Sequence, residues 1–561
     1  MLRTLDVDTN QPRPRVTAQI SAGILSTGVA LAVGHAVAGL VAPGSSPFLA
    51  VADSVVDRAP SAVREATIDA LGTADKPALL ISLAGILAVL GVVVGLLERP
   101  RRPIGSLIIV ALGLTGTLAA VTRPTAGPAW ALPTLVGTAL AVVALRLMIG
   151  ALFPAPSSAP SSGAGQVSGA GAEAVAGSGT EAGPGSGAPD TSDESAPATR
   201  QGPDRRRFLI LAGSAVAVIA AAGATGLALT RRAADAIAER TGLQLPRVLS
   251  RNAAAPVPAG VTPDAPGVTP FLTSNEDFYR IDTALRVPAL TTADWRLRIH
   301  GMVEREIELD WESLTAREFL DRIVTLTCVS NEVGGDLAGN ATWTGFPIAD
   351  LLAEAGPLPE ADMLLSTSVD GWTAGTPLEA LTDGRDALLA VGMNGEPLPL
   401  EHGYPVRQVV PGLYGYVSAT KWVVDWEVTR FDRASAYWTD RGWGERGPIL
   451  TASRIDRPAP LAELEPGPVV VAGTAWAQHR GIDRVEVQVD DGPWIEATLA
   501  SEYSIDTWRM WSWTWDAEPG LHTLSVRATD STGEVQTEVR QPPIPTGATG
   551  WHNRTFRVSG S

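Results

Sequence analysis

Four long apolar runs, about 18–42, 77–97, 104–121 and 129–152, come before any segment that could build a soluble core. A bilayer hydrocarbon layer is roughly 30 Å thick and takes about 20 helical residues to cross. Each run meets or nearly meets that length and is almost free of charge. Residues 1–153 are therefore expected to form a four-span transmembrane domain. A fifth apolar run, Phe208 to Thr230, lies in a separate segment, 205–232.

The basic residues give an orientation. Arg3, Arg13 and Arg15 precede the first run, Arg99, Arg101 and Arg102 separate the second from the third, and Arg146, Arg205, Arg206 and Arg207 follow toward the fifth. All are expected on the cytoplasmic side, with the mixed-charge loop 43–76 outside. Five crossings then put the C-terminal half outside the cytoplasm, although Arg231 and Arg232 at the far end argue mildly against this orientation. Residues 154–204 are Ala, Gly, Ser and Pro with almost no large apolar side chains, a linker that cannot offset its chain entropy and is expected to be disordered. The entrance to the fifth run, Asp204-Arg205-Arg206-Arg207-Phe208-Leu209, resembles a twin-arginine export signal, and would serve equally as a positive-inside anchor.

The net charge of −17, without a long basic run, argues against nucleic acid as a partner. Tryptophan is concentrated from Trp295 onward, so the globular packing is expected there. The chain holds a single cysteine, Cys328, which cannot form an intramolecular disulfide and is either a small buried filler or chemistry. Its setting favours chemistry. Ile323, Val324 and Leu326 predict a buried strand over 322–328, and the chain then breaks into a polar, glycine-rich loop from Ser330 to Gly339. A thiol where a strand meets a loop is placed like a metal ligand, and thiolate is a soft donor.

The run TCVSNEVGGDLAGNATWTGFPIADLL resembles the molybdenum-cysteine segment of the sulfite oxidase family of molybdopterin enzymes, and the likeness extends over roughly 246–558. It implies that Cys328 is the molybdenum ligand. Ser274 to Thr283 resembles the family's first cofactor-contacting stretch, an aromatic pair and polar residues. The likeness assigns Asp277, Tyr279, Arg280 and Ile281 to cofactor contact and puts Asp282 beside them. Ser366 to Trp372 resembles a polar turn beside the cofactor, carrying Ser368 and Asp370. The segments around His402, Arg407 and Ser418-Ala419-Thr420-Lys421-Trp422 resemble the signature that grips the pterin and its phosphate. A buried phosphate needs a planar cationic fork and a point charge, roles that Arg407 and Lys421 fill; Ser418 and Thr420 offer hydroxyls or backbone N–H groups, and His402 would hydrogen-bond the pterin.

Sulfite-oxidising members carry arginines where this chain has Ile281 with Asp282, and Asn331 with Glu332. Carboxylates there would repel a sulfite dianion by about a few kcal/mol if poorly screened. Asp282 and Glu332 are thus taken with Cys328 as catalytic-site residues, and a neutral or cationic oxygen-atom donor or acceptor, such as a sulfoxide, is expected. The rivals are sulfite oxidation with an anion pocket rebuilt from arginines such as Arg322, and a cofactor-free extracellular scaffold or adhesion protein.

Residues 460–558 show short alternating strands with turns every 8–12 residues, which suggests an immunoglobulin-like sandwich; Trp511, Trp513 and Trp515 share one face and read as core. This part resembles the family's dimerisation domain, so a homodimer is allowed. The expected architecture is multi-domain: an N-terminal α-helical membrane bundle, an α+β sulfite oxidase-type molybdopterin domain over 246–440, and a C-terminal all-β immunoglobulin-like sandwich. Membrane haem b wants paired histidines and the spans hold only His35, so no haem is expected and a separate cytochrome or quinone-linked protein would take the electrons.

Overall fold

The computed structural model describes residues 16–59, 75–123, 126–153 and 204–560, with isolated positions at 63, 67 and 70. The expected linker, apart from Asp204, and Arg3, Arg13 and Arg15 lie outside the described residues. Two compact units emerge, one from the helical N-terminal part up to Thr225 and one from Gly226 to Ser561 together with Thr122–Ala126.

The first unit contains helices α1 (Val16–Val41), α2 (Pro47–Arg58), α3 (Asp75–Leu97), α4 (Ile104–Val121) and α5 (Leu132–Leu152), and the start of α6 (Arg205–Gly242). Five of these helices are long and apolar enough to cross a membrane: α1, α3, α4, α5 with the residues just before it, and Arg205–Thr225 of α6. Small residues let α1 and α3 approach closely. A Cβ on Gly95 would lie 2.0 Å from the Gln19 carbonyl oxygen, and one on Gly23 would lie 2.1 Å from that of Gly91. Between α3 and α4 the chain turns through a short hairpin, β1 (Glu98–Arg99) and β2 (Arg102–Pro103). Glu98 is fully buried there and caps α4, accepting from the Ser106 N–H at 2.8 Å and its hydroxyl at 2.9 Å, while Arg146 of α5 pairs with it at 3.0 Å. Asp204 caps α6 by accepting the Arg207 N–H at 2.9 Å.

The part of α6 from Gly226 to Gly242 belongs to the second unit. Its last turns are fastened to the globular part of the chain. Tyr404 donates its hydroxyl to Glu239 at 2.8 Å, and Arg240 donates to the Leu398 carbonyl at 2.8 Å. Two sheets come next. One runs β4 (Ile307–Asp310), β3 (Arg296–Gly301), β12 (Val423–Thr429), β7 (Met363–Ser368), β8 (Thr373–Pro377), with β3 and β12 parallel. The other is antiparallel, in the order β10 (Glu396–Pro397), β9 (Leu388–Met393), β6 (Ala338–Pro347), β5 (Leu320–Thr327), with β11 (Arg407–Val409) also on β9. Helices α7 (Trp311–Thr315), α8 (Ile348–Ala355) and α9 (Gly415–Ser418) are short. One apolar core joins the sheets through Trp295, Phe319, Leu351, Leu389, Val410 and Trp426, and a second gathers Phe278, Val324, Trp343 and Tyr404.

The C-terminal part has two further sheets. The first is β13 (Ala452–Arg457), β15 (Gly467–Trp476), β19 (Arg509–Ala517), β18 (Thr498–Leu499); the second is β14 (Glu463–Leu464), β21 (His552–Val558), β20 (Gly520–Asp530), β16 (Ile482–Val489), β17 (Ile495–Glu496). Trp511 and Trp515 are buried in the core of this part, with Trp513 packed against it, so the period-two stripe is packing.

Candidate active site

Cys328 follows directly on β5, the edge strand of its sheet. A contiguous run of β-branched and apolar residues, Ile323 to Thr327, buries the second half of β5, and the polar loop after it cannot continue the ladder. The loop closes on itself instead. The Cys328 N–H donates to the Leu337 carbonyl at 2.9 Å, the Asn331 N–H to the Cys328 carbonyl at 3.1 Å, and the Asn331 side chain accepts the Leu337 N–H at 2.9 Å. Cys328 is half-buried, with its sulfur 2.9 Å from the Ser330 hydroxyl. Burial pushes the thiol up and the Ser330 hydroxyl pulls it back.

Two tyrosines flank it. Burial above all, and then the nearby Cys328 sulfur, push the Tyr279 phenol well above its ordinary value, with Arg407 opposing. Burial likewise takes Tyr414 up to about 12, and its oxygen accepts the Leu450 N–H at 3.3 Å. Tyr279 is held by Phe278, whose ring stacks on it at 5.2 Å and meets Trp343 and His402 edge-on at 5.7 and 5.5 Å.

Arg407 comes from β11 and is 5% exposed. It donates to the His402 carbonyl at 3.1 Å and lies over the Trp343 ring at 4.8 Å, and burial pushes it down to about 10. Among the described residues no carboxylate pairs with it. His402 Nε2 faces the Asn275 carbonyl at 3.2 Å, and burial, then Arg407 and Lys421, hold the imidazole down at about 4, hence neutral. Lys421 reaches Asp282 at 2.9 Å and the Glu401 carbonyl at 3.0 Å, and burial lowers it to about 8 although Asp282 pulls the other way. Asp282 also receives Arg280 Nε at 2.8 Å on the same oxygen.

The remaining expected residues fall less uniformly. The Ser418 hydroxyl is spent on the Tyr414 and Leu413 carbonyls at 2.9 and 3.2 Å, while the Thr420 hydroxyl accepts from the Ser366 hydroxyl. Ser368 ends β7, buried, with its hydroxyl unpartnered; Asp370 accepts the Trp372 N–H at 3.2 Å across the same turn, which meets Trp422 through the Val369 N–H at 2.9 Å. Asp277 is exposed and bonded to the Ser274 hydroxyl at 2.7 Å, and Ile281 is exposed. Glu332 is exposed too, at the edge of a cleft of about 80 Å³ with Thr327, Tyr414, Trp476 and Glu534 in its wall. Arg322 lies near the start of β5 and pairs with Asp386 at 2.7 Å. Gln408, next to Arg407 in sequence, lies on the other face of β11, where it donates to the Thr376 hydroxyl at 2.9 Å.

These residues fit an anionic, metal-bearing group. A buried guanidinium with no carboxylate among the described residues, beside a neutral histidine, calls for an outside anion. Among the described residues no three His, Cys, Asp or Glu side chains are grouped so as to hold a metal together.

The comparisons agree. Residues 284–438, which hold Cys328, His402, Arg407 and Lys421, match the model of the oxidoreductase molybdopterin binding domain family. The uncharacterized oxidoreductase YuiH of Bacillus subtilis is 32% identical over 153 residues, covering 27% of this chain and 74% of that protein. Chicken sulfite oxidase is 28% identical over 323 residues, 48% of this chain and 69% of that one. This chain belongs to the sulfite oxidase family of molybdopterin oxidoreductases. It is an enzyme of that family, and its cofactor is molybdenum-molybdopterin. Human mitochondrial sulfite oxidase is 29% identical over 329 residues, and the chain spans 58% of its length. The solved sulfane dehydrogenase SoxCD from Paracoccus pantotrophus is 24% identical, with 52% of this chain and 85% of that one covered and a TM-score of 0.45.

Proposed function

We propose that this chain is a membrane-tethered enzyme that transfers an oxygen atom to or from a small substrate outside the cytoplasm, with two electrons exchanged per turnover. The observation that carries the reading is Arg407, a buried cation with no carboxylate partner among the described residues, which donates to the carbonyl of the neutral His402 and is near enough to act on the Tyr279 phenol. When bound, the cofactor supplies the two-electron chemistry. Cys328 would be its one protein ligand, as thiolate. Arg407 and Lys421 would hold the phosphate, with backbone N–H groups of Ser418 and Thr420 and the Thr420 hydroxyl proton beside them. His402 would hydrogen-bond the pterin, and Asp277, Tyr279, Arg280, Ile281, Ser368 and Asp370 would line it.

The substrate reading favours a neutral or cationic oxygen-atom donor or acceptor, such as a sulfoxide. Asp282 answers Lys421 and Arg280, Glu332 and Glu534 border the adjacent cleft, and Arg322 is committed to Asp386. Neither Arg280 nor Arg322 is thereby left over to rebuild a sulfite pocket. The five apolar helices support the tether, and Arg205–Arg207 at the head of α6 support export through a twin-arginine route. The paired C-terminal sheets support an immunoglobulin-like module suited to a homodimer contact, and a separate cytochrome or quinone-linked protein would exchange the electrons.

Metal analysis and steady-state assay of the purified full chain test this. About one molybdenum per chain, lost in Cys328→Ser, with sulfoxide turnover exceeding sulfite turnover, is the expected result. A folded preparation without molybdenum would favour the scaffold; fast sulfite turnover would refute the substrate.

A further inference from the structure

Among the described residues no strand pairs with the outer edge of β5, yet its backbone groups are not left to solvent. The C-terminal part supplies their partners. The Thr325 N–H donates to the Asp506 carbonyl at 3.0 Å, and the Trp508 N–H donates to the Thr325 hydroxyl at 2.8 Å. Gln478 then reaches across. Its Nε2 donates to the Thr327 hydroxyl at 2.9 Å and to the Thr325 carbonyl at 3.2 Å. A carbonyl can only accept, so the amide's NH₂ must face β5, and Gln478 Oε1 is left buried without a partner among the described residues.

The same module also takes hold beyond Cys328. Arg454 donates to the Gly335 carbonyl at 2.8 Å, and the His552 ring lies so close to Gly334 that a Cβ there would come within 2.3 Å of it. Trp476, Trp508 and Met510 of the C-terminal part belong to the same apolar core as Ile323 and Val329, on either side of the cysteine. Cys328 is thus bracketed: Thr327 is clasped immediately before it and the 334–335 turn just after it.

We propose that the C-terminal module is part of the active-site scaffold and that Gln478 is the positioning residue through which it fixes Cys328. The inference rests on the reading of Cys328 as the metal ligand. A thiolate on a strand end whose last side chain is anchored approaches the metal from one direction only, and freeing Thr327 would let that direction vary.

Because Cys328 is the only thiol in the chain, its reaction with a maleimide reports its surroundings without ambiguity. The full chain is prepared with cofactor and from a cofactor-deficient host. In the cofactor-free chain, Gln478→Leu and, separately, Thr327→Val should speed labelling at least about threefold, because local opening governs access. In the loaded chain both should shift or broaden the thiolate-to-metal charge-transfer absorption. Val485→Ala, a cavity in the module's own core far from this contact in sequence, serves as the stability control. Equal labelling rates and absorption in wild type and both variants would overturn the proposal. So would an equal rise in labelling by Val485→Ala at the same loss of melting temperature. Cys328→Ser separates the two readings: full molybdenum retention would remove the ligand assignment, while the labelling result would still decide the clasp.

Discussion

Lys421 Nζ and Asp282 Oδ2 lie 2.9 Å apart, with only 10% and 4% of the two side chains exposed. A pair buried this far is held by its own match, and removing one partner strands the other charge. Asp282→Asn should therefore destabilise the cofactor-free chain by about 3 kcal/mol. In the loaded enzyme a phosphate next to Lys421 would supply the missing negative charge, so the deficit should shrink. Denaturant midpoints with and without cofactor check both halves. An equal loss in the two states would mean that no phosphate sits near Lys421.

Arg407 presents the opposite case, a cation buried with no carboxylate to lose. Arg407→Met keeps the apolar contact with Trp343 and removes a charge that the fold alone does not compensate. The cofactor-free chain should keep its stability to within about 1 kcal/mol or gain slightly. Cofactor retention should fall roughly ten- to a hundredfold, the worth of one or two charge-assisted hydrogen bonds. Melting temperature and molybdenum content, measured on one preparation, separate the two effects.

The sequence made the apolar helices readable because crossing a hydrocarbon layer demands an unbroken apolar run, a signal local to each segment. The strand before Cys328 was equally legible from Ile323, Val324 and Leu326, although β5 runs from Leu320 to Thr327 and not over 322–328, and the loop expected to reach Gly339 ends sooner because β6 takes up at Ala338. What escaped notice depends on contacts between distant residues. Gln478 lies 151 positions from the Thr327 hydroxyl that it holds. The engagement of the Ser418 hydroxyl by the carbonyls before it follows from the one-turn helix α9, which no periodicity announces. Asp282 looked like a repulsive carboxylate in sequence, and only the fold sets it between Arg280 and Lys421.

Acid should expose two buried histidines. His402 and His552 are both pushed from 6.5 down to about 4, each first by burial and then by neighbouring arginines. For His552 the geometry gives the reason, since its Nδ1 accepts the Ile455 N–H at 2.9 Å and must stay unprotonated. Unfolded, each ring binds a proton below about pH 6.5; folded, it resists until about pH 4. Stability is full above pH 6.5 and falls as the pH drops between those values, by up to roughly 3 kcal/mol per ring. Unfolding midpoints from pH 7 to 4 should trace this decline, and His552→Gln should remove about half of it.

The turn after the cysteine offers a contact that can be isolated. Gly334 has φ +82°, and a Cβ there would lie 2.3 Å from His552 Cδ2. Gly533 has nearly the same backbone, φ +87°, with no atom within 4 Å of the position its Cβ would take. Alanine at either site carries the left-handed penalty of about 1 kcal/mol. At Gly334 alone it must also push the imidazole or the loop aside. Gly334→Ala should therefore cost about 2 kcal/mol more than Gly533→Ala and reduce cofactor content, while Gly533→Ala leaves the content unchanged. Adding His552→Ala should return most of the excess, because the smaller side chain vacates the space that the new methyl needs. If the excess persists in the double variant, the strain lies in the 331–337 loop itself and not in its contact with the C-terminal module.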